Sequence, residues 1–198
     1  DGTLDTSFTG YNIGGTVGIG TNPTTFVKVI KVLPSGDVLV GGLLPNYYSI
    51  IKLNSSGAKY PHSATGFYDI RVEGGYVGVI ETYTDGRILI GGTFTAVGYN
   101  GKKRLARLKA NGDVDLNFII GGSFANGEVK AISIQKDETV LIGGSFNKFN
   151  TASAAAPTTY VDVDTYGLIK LTAVNGIIAT DYSAKYLHFG ADVLSLVS

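Results

Sequence analysis

The chain has 198 residues, no cysteine, 28 glycines and a formal charge of zero, with 16 Lys plus Arg against 16 Asp plus Glu. Absent cysteine excludes disulfides, thiol nucleophiles and thiolate zinc sites, and balanced charge with no basic block larger than Lys102-Lys103-Arg104 argues against nucleic acid as a partner. No apolar run approaches the ~18–20 residues of a membrane-crossing helix, while 16% charged residues and abundant glycine suit short strands joined by tight turns.

Residues 1–26 read as the end of one unit and a connection. The next unit, 27–76, opens with Val27 to Gly42, VKVIKVLPSGDVLVGG. A second unit, 77–128, opens with Val77 to Gly92, VGVIETYTDGRILIGG, and a third, 129–192, with Val129 to Gly144, VKAISIQKDETVLIGG. The three segments align without a gap, and their paired glycines (Gly41-Gly42, Gly91-Gly92, Gly143-Gly144) are spaced by 50 and 52 residues. Residues 193–198 open a further first strand. Both ends of the sequence therefore fall inside a repeat, and the expectation is an excerpt of a longer chain.

Each segment has the grammar of a hairpin: a β-branched run, a turn centred on Ser35-Gly36-Asp37 or Asp85-Gly86, and a second apolar run. In the third copy Lys136-Asp137-Glu138 replaces the glycine, so that turn is expected to be of another type or strained. The second strand is apolar at consecutive positions: Val38-Leu39-Val40, Ile88-Leu89-Ile90 and Val140-Leu141-Ile142. A strand of that kind is covered on both faces. At about 1.5–3 kcal/mol per fully buried Val, Leu or Ile, these positions are the expected core. The paired glycines permit close backbone approach or a bulge.

Downstream of each hairpin comes a third strand and a turn, Ser49 to Leu53 before Asn54-Ser-Ser-Gly57, Arg104 to Leu108 before Asn111-Gly112, and Tyr166 to Leu171 before Asn175-Gly176. A cation recurs before the last leucine as Lys52, Arg107 and Lys170, and the tail Asp113 to Phe118 matches Thr3 to Phe8. The third copy is longer by a stretch, 147–165, whose Thr151 to Pro157 has loop composition, so a long loop is expected there. A second Gly-Gly-Ser-Phe, Gly121 to Phe124, lacks a hairpin and reads as a connection. The fold expected is all-β: a β-propeller-like array of about three blades in a single repeat domain, 1–198, with partial blades at both termini.

The combination of DGRILIGGTF (Asp85 to Phe94), RLARLKANGDVDLNF (Arg104 to Phe118) and the opening DGTLDTSF (Asp1 to Phe8) resembles the delta-60 repeat family, β-propeller-type repeats of bacterial surface and bacteriophage structural proteins. The chain departs from that pattern at Leu43-Leu44, where the other copies carry Thr93-Phe94 and Ser145-Phe146, and at Asp137-Glu138. The resemblance implies a propeller-like fold and no catalytic residues.

Two histidines, His62 and His188, stand apart in sequence without a motif partner; beside Ser63 or Asp192 either would need a third element to act as a base, so both read as loop or core residues. Asp162 and Asp164 form a weak candidate metal pair, because alternate carboxylates before Gly167 can wrap a hard cation, but Tyr166 and a missing distal Glu disfavour it. A strand edge is the simpler reading. Asp113 and Asp115 read as turn aspartates, Asn54-Ser55-Ser56 as a turn that happens to form a glycosylation sequon, and Lys102-Lys103-Arg104 as a solvated face. Among the tyrosines, Tyr47, Tyr48 and Tyr99 could supply a contact surface.

No catalytic residue, cofactor or resident metal is expected. The expected function is a non-enzymatic structural and binding module, foremost part of a bacteriophage tail, fibre or appendage. The alternatives are a bacterial secreted or cell-surface adhesive propeller and a carbohydrate-active propeller enzyme. Expected partners are other protein subunits of a larger assembly, with host-surface glycan a further candidate, at a virion or extracellular location.

Overall fold

The computed structural model describes residues 3, 5–8, 25–44, 48–60, 70–118, 125–152 and 160–179. Every regular element among them is a strand. The first repeat supplies β1 (Phe26–Val32), β2 (Val38–Leu43), β3 (Tyr48–Leu53) and β4 (Ile70–Glu73). The second supplies β5 (Val77–Thr82), β6 (Ile88–Gly92), β7 (Ala96–Val97) and β8 (Leu105–Leu108), and the third β9 (Val129–Ile134), β10 (Val140–Gly144), β11 (Lys148–Ala152), β12 (Tyr160–Asp164) and β13 (Leu168–Leu171).

In all three repeats the Val/Leu/Ile triplet is the middle strand of an antiparallel sheet. β2 lies between β1 and β3, β6 between β5 and β8, and β10 between β9 and β13. The registers match: Val40 faces Ile30 and Ile51, Ile90 faces Ile80 and Ala106, and Ile142 faces Ile132 and Ile169. Seven of the nine triplet residues are buried, Val38 and Leu141 being the half-buried two. The sheets are also tied laterally, since β4 forms the outer edge of the first sheet and pairs on its far side with β7 of the second repeat, Val72 against Val97.

The sheets stack face to face. Leu39 of β2 packs with Val77 and Ile80 of the next repeat in one apolar cluster, and Leu89 of β6 packs with Val129 and Ile132 in another. The paired glycines have separate tasks. A β-carbon on Gly41 would stand 2.9 Å from Ile80 of the following sheet, and one on Gly91 2.5 Å from Val129, so the first glycine admits the neighbouring blade. A β-carbon on Gly42, Gly92 or Gly144 would strike the carbonyl of Phe26, Tyr76 or Glu128, at the place where the register of the hairpin shifts. The second glycine therefore serves the bulge.

Two sequence-based expectations change. The turn through Lys136-Asp137-Glu138 is the same as the others: Gln135 N–H donates to Thr139 O and Glu138 N–H to Gln135 O, as Leu33 and Gly36 do in the first turn and Tyr83 and Gly86 in the second. Glu138 takes the left-handed conformation, φ 61°, that Gly36 and Gly86 take at 83° and 88°. The second correction concerns 147–165. Its flanks form an antiparallel hairpin, β11 with β12, from Lys148 opposite Asp164 to Ala152 opposite Tyr160, because Phe149 buries its ring in the third core and anchors the first arm. The Ala/Ser/Pro stretch at 153–159, the connection Gly121 to Phe124 and residues 193–198 lie outside the described residues.

Candidate functional site

The charged and polar side chains of the stacked sheets work chiefly between blades, at positions one repeat apart. Lys31 Nζ lies 2.6 Å from Glu81 Oε2, Tyr76 Oη donates to Glu128 Oε1 at 2.6 Å, and the Arg87 guanidinium donates to Glu138 Oε2 at 2.7 Å. Phe26 meets Tyr76 edge to face at 5.3 Å, so the position of Phe26, Tyr76 and Glu128 forms a continuous ladder across three sheets. The hydrogen bond to Glu128 pushes the Tyr76 pKa up to about 12, with burial and the Glu128 charge adding to the shift.

Arg107 is the most enclosed of these groups. Its Nε donates to Asp115 Oδ2 at 2.8 Å, its two terminal nitrogens donate to the Ala173 and Val174 carbonyls of the third repeat at 2.6 and 2.8 Å, and its plane lies 4.3 Å over the Phe118 ring. Asp115 is thus more than a turn residue: it neutralises a buried guanidinium as well as capping Asn117 N–H. The first repeat solves the same problem with different residues. Lys52, the equivalent of Arg107, pairs at 3.0 Å with Asp37, which also accepts from Tyr60 Oη at 2.9 Å. Burial would raise the Asp37 pKa, and the bonds from Lys52 and Tyr60 outweigh it to hold the carboxyl below its ordinary value. The second repeat carries Arg87 where the first has Asp37, so its carboxylate has moved to the tail as Asp115.

Lys102-Lys103-Arg104 is not the solvated face that composition suggested. Lys102 is buried and donates to Phe118 O at 2.9 Å, and burial lowers its pKa. Arg104 adopts a left-handed φ of 63° and donates to Ala125 O at 2.9 Å. The apolar stems of these cations cover the edge of the second sheet while their heads find carbonyls. Asp162 and Asp164 lie exposed on β12, the first accepting from Asn150 Nδ2 at 2.8 Å and the second 3.9 Å from Lys148 Nζ. Each carboxylate faces a cross-strand donor, and among the described residues no group of three or more His, Asp or Glu is gathered as a metal cage. His62, Ser63, His188, Asp192 and Tyr47 lie outside the described residues. Tyr48 is half-buried, and Tyr99 is almost fully exposed on the turn after β7.

A groove of about 890 Å³ runs beside the turns of the second and third hairpins. Tyr83, Ile134 and Leu141 give it an apolar lining, and Glu81, Lys136 and Lys170 bring mixed charge to it. Leu141 is the equivalent of Leu39 and Leu89, both fully buried under the next sheet. The sequence signal for the interblade pairs was available, because opposite charges recur one repeat apart at Lys31/Glu81. The partnership of Arg107 with Asp115 had no such signal.

A family model described as a domain of unknown function (DUF5122) beta-propeller matches residues 84–118, from the second hairpin turn to the end of the tail. The chain is an all-β, propeller-like array of blades. No curated protein matches it. One solved structure that it resembles is PorZ, a bacterial surface component of the type-IX secretion system of Porphyromonas gingivalis, at 12% identity and a TM-score of 0.37 over 85% of this chain. The chain spans 28% of the length of that protein. No helix among the described residues is long and apolar enough to cross a membrane.

Proposed function

We propose that the chain is a non-enzymatic structural and binding module, a delta-60-type propeller segment serving in a bacteriophage tail, fibre or appendage. The observation that supports this reading is the use made of its buried and half-buried charges: Arg107, Asp115, Asp37, Lys52, Lys102 and the Arg87/Glu138 pair all bind blades or tails to one another. Such a frame resists deformation in a repeat whose stability comes from neighbour contacts. Its partners are other protein subunits of the same particle, and exposed loop tips such as that of Tyr99 are the contact points for them or for a surface glycan.

Two measurements test the reading. Incubation of the purified chain with a panel of polysaccharides is expected to release no new reducing ends; sustained turnover would overturn the non-enzymatic assignment. Mass spectrometry of purified virions is expected to find the protein; recovery from shaved bacterial surfaces, with none in virions, would replace the virion assignment by the cell-surface one.

A further inference from the structure

The two blade interfaces inside the chain follow one rule, and both outer blades present an uncovered half of it. On the side facing the preceding blade, each first strand offers a valine and an isoleucine: Val77 and Ile80 in the second repeat, Val129 and Ile132 in the third. All four are at most 4% exposed, because Leu39 and Gly41, or Leu89 and Gly91, receive them. The equivalent residues of the first repeat are Val27 and Ile30, which are 42% and 62% exposed, and Val32 beside them is 63% exposed. Behind them Val40, Ile51 and Leu53 form a small cluster drawn from the first repeat alone. At the other end of the stack Leu141, whose equivalents Leu39 and Leu89 are fully buried, is only half-buried and lines the groove.

From this we infer that the Val27/Ile30 face of β1 is the docking surface for the Leu141/Gly143 face of β10 in a second copy of this chain. The argument is continuity with an interface that the chain already makes twice. A partner seated on β1 needs a central strand with leucine and then glycine two residues on, so that Val27 can approach as Val77 approaches Gly41 and Val129 approaches Gly91. Leu141-Ile142-Gly143 supplies that pattern, on a face that opens into the groove. Polar register agrees. Arg107 crosses to the Ala173 and Val174 carbonyls of the following repeat; Lys170 holds the Arg107 position in the third repeat, and Ser55-Ser56 hold the receiving positions in the first. The contact is heterologous, face to opposite face, so copies join head to tail into a ring or a stack. This deepens the assembly reading and rests on it only for its setting: polysaccharide turnover would sink that reading and leave self-association untouched.

Sedimentation velocity of the whole 198-residue chain over a concentration series tests the inference. Wild type is expected to associate with rising concentration, while Ile30→Lys on one face and Leu141→Lys on the other each leave a single-chain species. Mixing the two variants restores association, but only to a pair, because each retains one sound face. Val32→Glu and the milder Leu141→Ser repeat the experiment should either lysine variant fail to fold, as judged by circular dichroism. The inference is overturned by a wild-type chain that stays single up to its solubility limit, by association indifferent to both substitutions, or by a mixture that remains unassociated.

Discussion

The side chain of Val129 occupies the space that a β-carbon on Gly91 would need: its Cγ1 would lie 2.5 Å away, with Val79 Cγ1 at 2.8 Å from the other side. β-branched side chains have little rotameric freedom to yield. Gly91→Ala is therefore expected to destabilise the chain by about 1–3 kcal/mol through overpacking, and Gly92→Ala by more, since its methyl group meets the Tyr76 carbonyl. Gly101, with nothing within 4 Å of a β-carbon, is the control, and Gly101→Ala should stay within about 0.5 kcal/mol of wild type. Urea unfolding of the three variants checks the order.

Arg107 and Asp115 have side chains only 5% and 11% exposed. Removing one partner of such a pair strands the other, which costs about 3–5 kcal/mol. Arg107→Ala also leaves the Ala173 and Val174 carbonyls without their donor. Arg107→Ala and Asp115→Ala are each expected to lose stability in that range, and the double variant to lose much less than their sum. A double-mutant cycle by chemical denaturation measures the coupling.

The central strands were legible in the sequence because apolar residues at consecutive positions have only one comfortable place, between two covered faces, and the repeat supplied the pattern three times. The division of labour within Gly41-Gly42 was not, because either task accounts for a missing Cβ and only the neighbouring blade tells them apart. The β11–β12 hairpin was hidden by the alanine, serine and proline between its arms, a composition that describes the tip and says nothing of Phe149. Lys102 and Asp115 were misread for a related reason. Their burial is set by Phe118 and Arg107, which a turn at Gly112 brings back against them, and no local pattern encodes that return.

Glu138 sets two effects of comparable size against each other. A left-handed conformation costs a non-glycine residue about 1–2 kcal/mol, while an ion pair with side chains 23% and 43% exposed, as between Arg87 and Glu138, lies in the class worth about 0–1 kcal/mol. Strain wins. Glu138→Gly is expected to be neutral to stabilising by up to about 1 kcal/mol, and Glu138→Ala, which keeps the strain and discards the pair, to be destabilising. Denaturation midpoints of both variants test the sign, and a Glu138→Gly chain less stable than Glu138→Ala would contradict it.

Tyr76 carries a pH dependence of its own. Its pKa stands at 10 when unperturbed and is raised to about 12 in the fold, chiefly by the hydrogen bond that its hydroxyl donates to Glu128. A raised folded pKa means that the neutral form is favoured by folding, so the contribution is complete below pH 10, diminishes between 10 and 12, and is gone above the folded value. Because the pair joins the second and third sheets, its loss weakens the contact between blades. The urea midpoint of the wild type should therefore fall more steeply over that window than that of Tyr76→Phe, which has no proton to lose. Parallel curves for the two proteins would mean that Glu128 does not hold the hydroxyl in the folded state.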